Sequence, residues 1–201
     1  MTFESNISAE DLQQLPLYSY DGEVVVVDSL EKFNEIKYEL FLNRIWGFDT
    51  ETKPSFKKGV SNSKTVALLQ LSSTDKTYLF RLNKIPLKQE LINFLSSSDY
   101  LKIGLALRDD LRFLKKIHNF EPAGFIDLQN FVKEYGIEDM SLKKIAAIVL
   151  KIRISKSQQL SNWEADILNE KQIKYAATDS WISREIYMKL INSEKNDSTG
   201  I

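Results

Sequence analysis

Apolar positions along this chain follow two rhythms, and the first half is dominated by the shorter one. Glu23 to Val27, Ile45 to Glu51, Val66 to Ser72 and Thr77 to Leu82 are runs of strand length rich in β-branched and aromatic residues. The last two flank Ser73-Thr74-Asp75-Lys76, a turn-like tetrapeptide, and read as an antiparallel hairpin. Between them fall helical signals. Ser8-Ala9-Glu10-Asp11-Leu12 predicts a short capped helix ending before Pro16. Asp28 or Ser29 is set to cap a helix with Leu30, Phe33, Ile36, Leu40 and Phe41 on one side.

The second half alternates. Leu87 to Leu95 reads as helix, Tyr100 to Leu107 as strand, Asp109 to His118 as helix and Phe125 to Leu128 as a short strand. Helices follow near Gln129 to Tyr135 and Ser141 to Val149, and a loop leads to a long helix from about Glu170 to Ile191. Three antiparallel strands followed by alternating helices and strands predict an α/β fold: a mixed central sheet, with antiparallel hairpin strands and parallel strands, flanked by helices. No repeat or domain-splitting linker interrupts the pattern. The expected division is an N-terminal extension over 1–22, one domain over 23–191 and a polar, flexible tail over 192–201.

Composition narrows the chemistry. A length of 201 residues suits one well-buried domain. Cysteine is absent, which removes disulfides, thiolate zinc sites and cysteine nucleophiles; the single histidine, His118, removes histidine-rich metal sites and most serine–histidine triads. His118 is expected near a helix C-terminus, where it complements the dipole. The formal net charge of −1 gives no global pull on nucleic acid, so any such binding must come from a local patch. The longest aliphatic stretch, Ile145 to Leu150, is far too short to span a bilayer, and the polar, acidic start lacks a signal-peptide pattern. The expected location is cytoplasmic.

The remaining chemistry is acidic. In Trp46-Gly47-Phe48-Asp49-Thr50-Glu51-Thr52, two carboxylates stand two residues apart on a strand and therefore share a face. In Lys174-Tyr175-Ala176-Ala177-Thr178-Asp179, a phenol and a carboxylate stand four apart on a helix and share a face as well. Asp179 heads an apolar stripe through Ile182, Ile186 and Leu190 and needs a partner for its burial. Asp110 shares a helix face with Leu114 and Ile117, whereas Asp109 faces elsewhere. Carboxylates gathered at one point repel unless protons or a divalent cation offset the charge, and such a cluster is what two-metal phosphoryl chemistry requires.

These motifs together resemble the DEDD superfamily of 3′–5′ exonucleases, in the ribonuclease D and Werner-syndrome exonuclease branch. Phe48-Asp49-Thr50-Glu51 resembles its first motif, Gly104-Leu105-Ala106-Leu107-Arg108-Asp109-Asp110-Leu111 the second, and Tyr175-Ala176-Ala177-Thr178-Asp179 the third; Leu160-Ser161-Asn162-Trp163-Glu164 also looks like that branch. Lys174 occupies the position where a sister subgroup has histidine, so the resemblance is to the tyrosine subgroup. It implies a ribonuclease H-like fold and two divalent cations, Mg²⁺ or Mn²⁺. Asp49, Glu51 and Asp179 would hold one, and Asp49 and Asp110 the other, directly or through water. Tyr175 would orient the attacking water, and nucleoside 5′-monophosphates would leave from the 3′ ends of DNA or RNA. The competing expectation is a non-catalytic nucleic-acid-binding module that keeps the acids.

The strand's path is sought in local charge. Ser141 to Leu160 contains Lys143, Lys144, Lys151, Arg153 and Lys156 and no acid, which points to Lys151, Arg153 and Lys156 as phosphate contacts, against the alternative of a solvated helix face. Lys53, Lys57 and Lys58 form a second basic candidate. Trp163 is a candidate for stacking on a base or, alternatively, for anchoring the core or a loop.

Overall fold

A computed structural model describes residues 2–52 and 65–193; Lys53, Lys57 and Lys58, and the tail from 194 onward, lie outside the described residues. Among the described residues six strands form one sheet: β1 (Glu23–Val27), β2 (Ile45–Thr52), β3 (Val66–Ser72), β4 (Lys76–Arg81), β5 (Leu101–Gly104) and β6 (Phe125–Asp127), in the spatial order β1-β4-β3-β2-β5-β6. The expected antiparallel group is β2-β3-β4, while β1, β5 and β6 pair in parallel with their neighbours. The α/β mixed sheet with flanking helices is therefore as expected. The position of β1, set parallel beside β4 at one edge, is a non-local result that no local pattern predicts.

Among the described residues the α-helices are α1 (Ala9–Gln14), α2 (Leu30–Ile36), α3 (Gln89–Leu95), α4 (Arg108–Ile117), α5 (Leu128–Phe131), α6 (Leu142–Leu150) and α7 (Glu170–Ile191). Serines cap three of them: the hydroxyls of Ser8, Ser29 and Ser141 accept from the amides of Asp11, Lys32 and Lys144. At α7 the cap is reciprocal, since Asn169 Oδ1 accepts from Gln172 N at 3.0 Å and Gln172 Oε1 accepts from Asn169 N at 3.1 Å. His118 follows α4, its amide donating to Leu114 O.

Strands β6 and β5 end earlier than expected, by one residue and by three. β5 stops at Gly104 rather than running to Leu107, because the chain turns to meet Asp127. That carboxylate accepts from the amides of Ala106, Leu107 and Gln129, each at 3.0 Å, and Ala106 takes φ 55° to reach it. One carboxylate thus begins both the turn before α4 and the first turn of α5.

Strand alternation divides β2 between the two faces of the sheet. Trp46 and Phe48 pack into the cluster with α2, α3 and α4, around Phe33, Phe80, Phe94 and Leu114. Gly47, Asp49 and Glu51 face the other way, toward α7. Gly47 makes the contact possible: a Cβ there would lie 1.8 Å from Ser180 O, so α7 rests directly on the β2 backbone. Ser180 Oγ and Ser72 Oγ, 2.7 Å apart, join α7 to the adjacent β3. We expect Gly47→Ala to cost about 3 kcal/mol, the upper end for overpacking, with a melting midpoint lower by about 9 °C in calorimetry.

Residues before β1 are packed against this core. Ile7 and Leu12 join the apolar cluster of α6 and α7. Ile7 N donates to Asp139 Oδ2, Tyr18 N to Arg153 O and Tyr20 N to Thr178 Oγ1. Among the described residues no helix is long and apolar enough to cross a membrane.

Candidate active site

The acids converge where β2 passes beneath α7. Asp49 and Glu51 leave β2 on the face that α7 covers, and Asp179 comes down from α7 beside Ser180. Carboxylate oxygens of Asp49, Glu51 and Asp179 all lie within 4.8 Å of one another. Tyr175, one helical turn before Asp179, sets its phenol among the charges of Asp179, Glu51 and Asp49. Asp110, at the start of α4, stands beside this group rather than inside it. The Thr50 hydroxyl, on the opposite face of β2, donates to Asp110 Oδ1.

Burial and mutual repulsion both act against ionisation here. Burial pushes Asp49 well above the usual carboxylate range, and the charges of Asp179 and then Asp110 push it further. Glu51 is raised to about 10, by burial first and then by Asp49, Asp179 and Asp110. Asp179 is raised to about 7 by burial, with the Tyr175 hydrogen bond and the Lys156 charge opposing. Asp110 is raised to about 6, again mainly by burial. Burial, then the Asp179 and Glu51 charges, raises the Tyr175 phenol too. The cluster retains protons at pH values where isolated carboxylates have lost them.

One atom tests whether a cation fits. Asp179 Oδ1 is buried with no hydrogen-bond partner, an arrangement that costs free energy unless something else engages the oxygen. Three hard oxygen ligands at this separation, one without a partner, suit Mg²⁺ or Mn²⁺. They line a cleft of about 220 Å³ whose walls also carry Lys143, Lys156 and Gln159.

The basic and aromatic candidates separate in the fold. Lys156 lines the cleft. Lys151 is exposed at the C-terminus of α6 in a left-handed conformation, φ 56°, outside the cleft lining. Arg153 is turned to the N-terminal segment, with its Nε donating to Leu15 O at 2.8 Å. Trp163 corrects the stacking expectation: its exposure is 0 %, so neither ring face is open to a base, and it packs with its centroid 6.1 Å from that of Tyr175. It holds the phenol from behind, as in the anchoring alternative.

Two further residues stand at the site, Thr50 and Gln70. Thr50 carries no sequence signal, because it faces away from its two acidic neighbours. Gln70 is fully buried, in register with Asp49 on β3, and neither amide atom has a hydrogen-bond partner. Its signal was present: a lone amide in the otherwise apolar run Val66-Ala67-Leu68-Leu69-Gln70-Leu71.

Comparison with known proteins agrees with this geometry. A family model described as 3′-5′ exonuclease matches residues 24–193. The exonuclease 3′-5′ domain-containing protein 2 of Drosophila melanogaster is 34% identical over 163 residues, which is 78% of this chain and 27% of that protein. The bifunctional 3′-5′ exonuclease/ATP-dependent helicase WRN of Mus musculus is 29% identical over 188 residues, 89% of this chain and 13% of that protein. The chain thus spans about a quarter of the first relative and less of the second. The crystal structure of Escherichia coli RNase D superposes with a TM-score of 0.75 at 20% identity, covering 84% of this chain and 44% of that one, which speaks to the fold. From Val24 to Ser193, this chain belongs to the 3′-5′ exonuclease family.

Proposed function

We propose that this chain hydrolyses nucleic-acid phosphodiester bonds stepwise from the 3′ end and releases nucleoside 5′-monophosphates, with residues 23–191 as the catalytic domain. The observation that carries this reading is the group of three carboxylates within 4.8 Å, one of them with an unpartnered buried oxygen. Asp49, Glu51 and Asp179 would hold one divalent cation, Mg²⁺ or Mn²⁺, and Asp49 with Asp110 a second. Such ions supply an activated water and neutralise the leaving 3′ oxygen.

The protein's own groups do the rest. Thr50 donates to Asp110 and holds its carboxylate beside β2. Tyr175 positions the attacking water: its raised phenol keeps its proton and orients by hydrogen bonding rather than acting as a strong base. Lys156 and Lys143 bring positive charge to the cleft wall for the scissile phosphate.

The test is a ladder assay. 5′-labelled single-stranded DNA, single-stranded RNA and 3′-recessed duplex DNA are incubated with Mg²⁺, Mn²⁺ or EDTA. Metal-dependent shortening from the 3′ end is the expected result, and it reports the preferred polymer. Intact strands in every lane, with measurable binding, would replace this reading with the non-catalytic module. Tyr175→Phe should fold normally, with an unchanged melting midpoint, and turn over about 10²-fold more slowly. Wild-type turnover in that variant would remove Tyr175 from the mechanism.

A further inference from the structure

The face of α7 that enters the catalytic cleft does not end there. Ser183, Asp179 and Tyr175, spaced four residues apart, all line the cleft, and the same spacing continues to Lys171. Each step along this ridge is about 6 Å, one helical turn and of the order of one nucleotide. Beyond Tyr175 lies a second hollow of about 160 Å³, which shares Ser155 and Tyr175 with the cleft and is walled by Tyr18, Lys171 and Lys174. Both lysines are exposed and belong to no ion pair among the described residues. Tyr18 is fixed there by stacking on Trp181, with centroids 5.4 Å apart, and by its amide bond to Arg153 O. Past Lys174 a third hollow carries Asp21 and Glu170, so the cationic track is short.

We propose that this hollow between Tyr18 and the first turns of α7 is the seat of the nucleic-acid strand just upstream of the scissile bond, with Lys171 and Lys174 each neutralising one backbone phosphate. The proposal rests on the exonuclease reading of the neighbouring cleft. Physically, the two cavities meet at Tyr175, so a strand whose terminal phosphate lies at the acids has its next phosphates brought to the two lysines. The acids Asp21 and Glu170 then limit the contact to about two phosphates.

The test compares wild type with Lys171→Ala/Lys174→Ala, and with Lys115→Ala/Lys116→Ala on α4 as a charge-matched control. Binding of a fluorescein-labelled ten-nucleotide single strand is measured in EDTA across a salt series. For the α7 pair, the slope of log affinity against log salt should flatten by about 1.4, two contacts at ~0.7 each for a single strand. The α4 pair should keep the wild-type slope. With metal, the α7 pair should lose about tenfold in kcat/KM on the ten-mer. It should hydrolyse the p-nitrophenyl ester of thymidine 5′-phosphate, one nucleotide long, at the wild-type rate. A wild-type slope in the α7 pair, equal flattening in both pairs, or equal loss on ester and ten-mer overturns the proposal. Failure of the exonuclease reading is separate: wild type would then leave both ester and strand intact, while the slopes in EDTA still decide whether the hollow binds the strand.

Discussion

Asp49→Asn is expected to lower exonuclease turnover by about 10³-fold or more while raising the melting midpoint of the metal-free protein. The two effects have one cause. Asp49 lies at the centre of the cluster, half-buried in the cleft wall, its carboxylate crowded by those of Asp179 and Asp110. Asparagine keeps the shape and keeps an oxygen to accept from Thr50 N, the 2.9 Å bond that orients the wild-type side chain. What it loses is the negative charge and the ability to hold a cation. Metal-assisted charge stabilisation contributes several kcal/mol to a transition state, and each 1.36 kcal/mol is one decade in rate. Without metal, the same change removes a half-buried acid and its repulsion, which we expect to stabilise by about 1 kcal/mol, or ~3 °C at this chain length. Ladder assays and calorimetry on one preparation check both. A variant that keeps its turnover, or melts several degrees below wild type, would deny Asp49 its central place.

Divalent-cation binding should stabilise the protein by an amount that grows with pH. The sign follows from the raised carboxylates. Unfolded carboxylates lose their protons near pH 4, whereas in the folded protein Asp110 does so at about 6, Asp179 at about 7 and Glu51 at about 10. Between those limits the native state binds more protons than the unfolded one. The contribution of these groups to stability is therefore complete below about pH 4 and is lost as pH rises through the folded values. A bound cation replaces those protons and removes the penalty, so its affinity rises as protons become easier to release. At a hundredfold excess over the dissociation constant the gain is about 2.7 kcal/mol, a midpoint shift of ~8 °C for a chain of this size. Melting curves with Mg²⁺ at pH 5, 6.5 and 8 should show a shift that is small at pH 5 and large at pH 8. Asp49→Asn should abolish it. An equal shift at all three values would show that the ion binds elsewhere.

What could be read in the sequence by itself is whatever depends on a side chain's relation to its own element. Alternation along β2 was enough to set Asp49 and Glu51 on one face, and the four-residue spacing on α7 was enough to align Tyr175 with Asp179. The capping serines and the bounds of α7 could be read the same way, because caps and periodicity act within a few residues. Motif order carried the family. The tertiary structure decided everything that depends on which element lies against which. Asp179 reaches Asp49 because Gly47 lets α7 settle on the β2 backbone. Asp110 is tied to the site through Thr50, whose side chain points away from the acids it serves. Arg153 is turned to the N-terminal segment and Trp163 is buried behind Tyr175, although both resemble strand-binding residues in the linear sequence. The physical reason is that local propensity and periodicity fix direction along an element, whereas the sheet order β1-β4-β3-β2-β5-β6 and the close helix–strand contact are set by non-local burial.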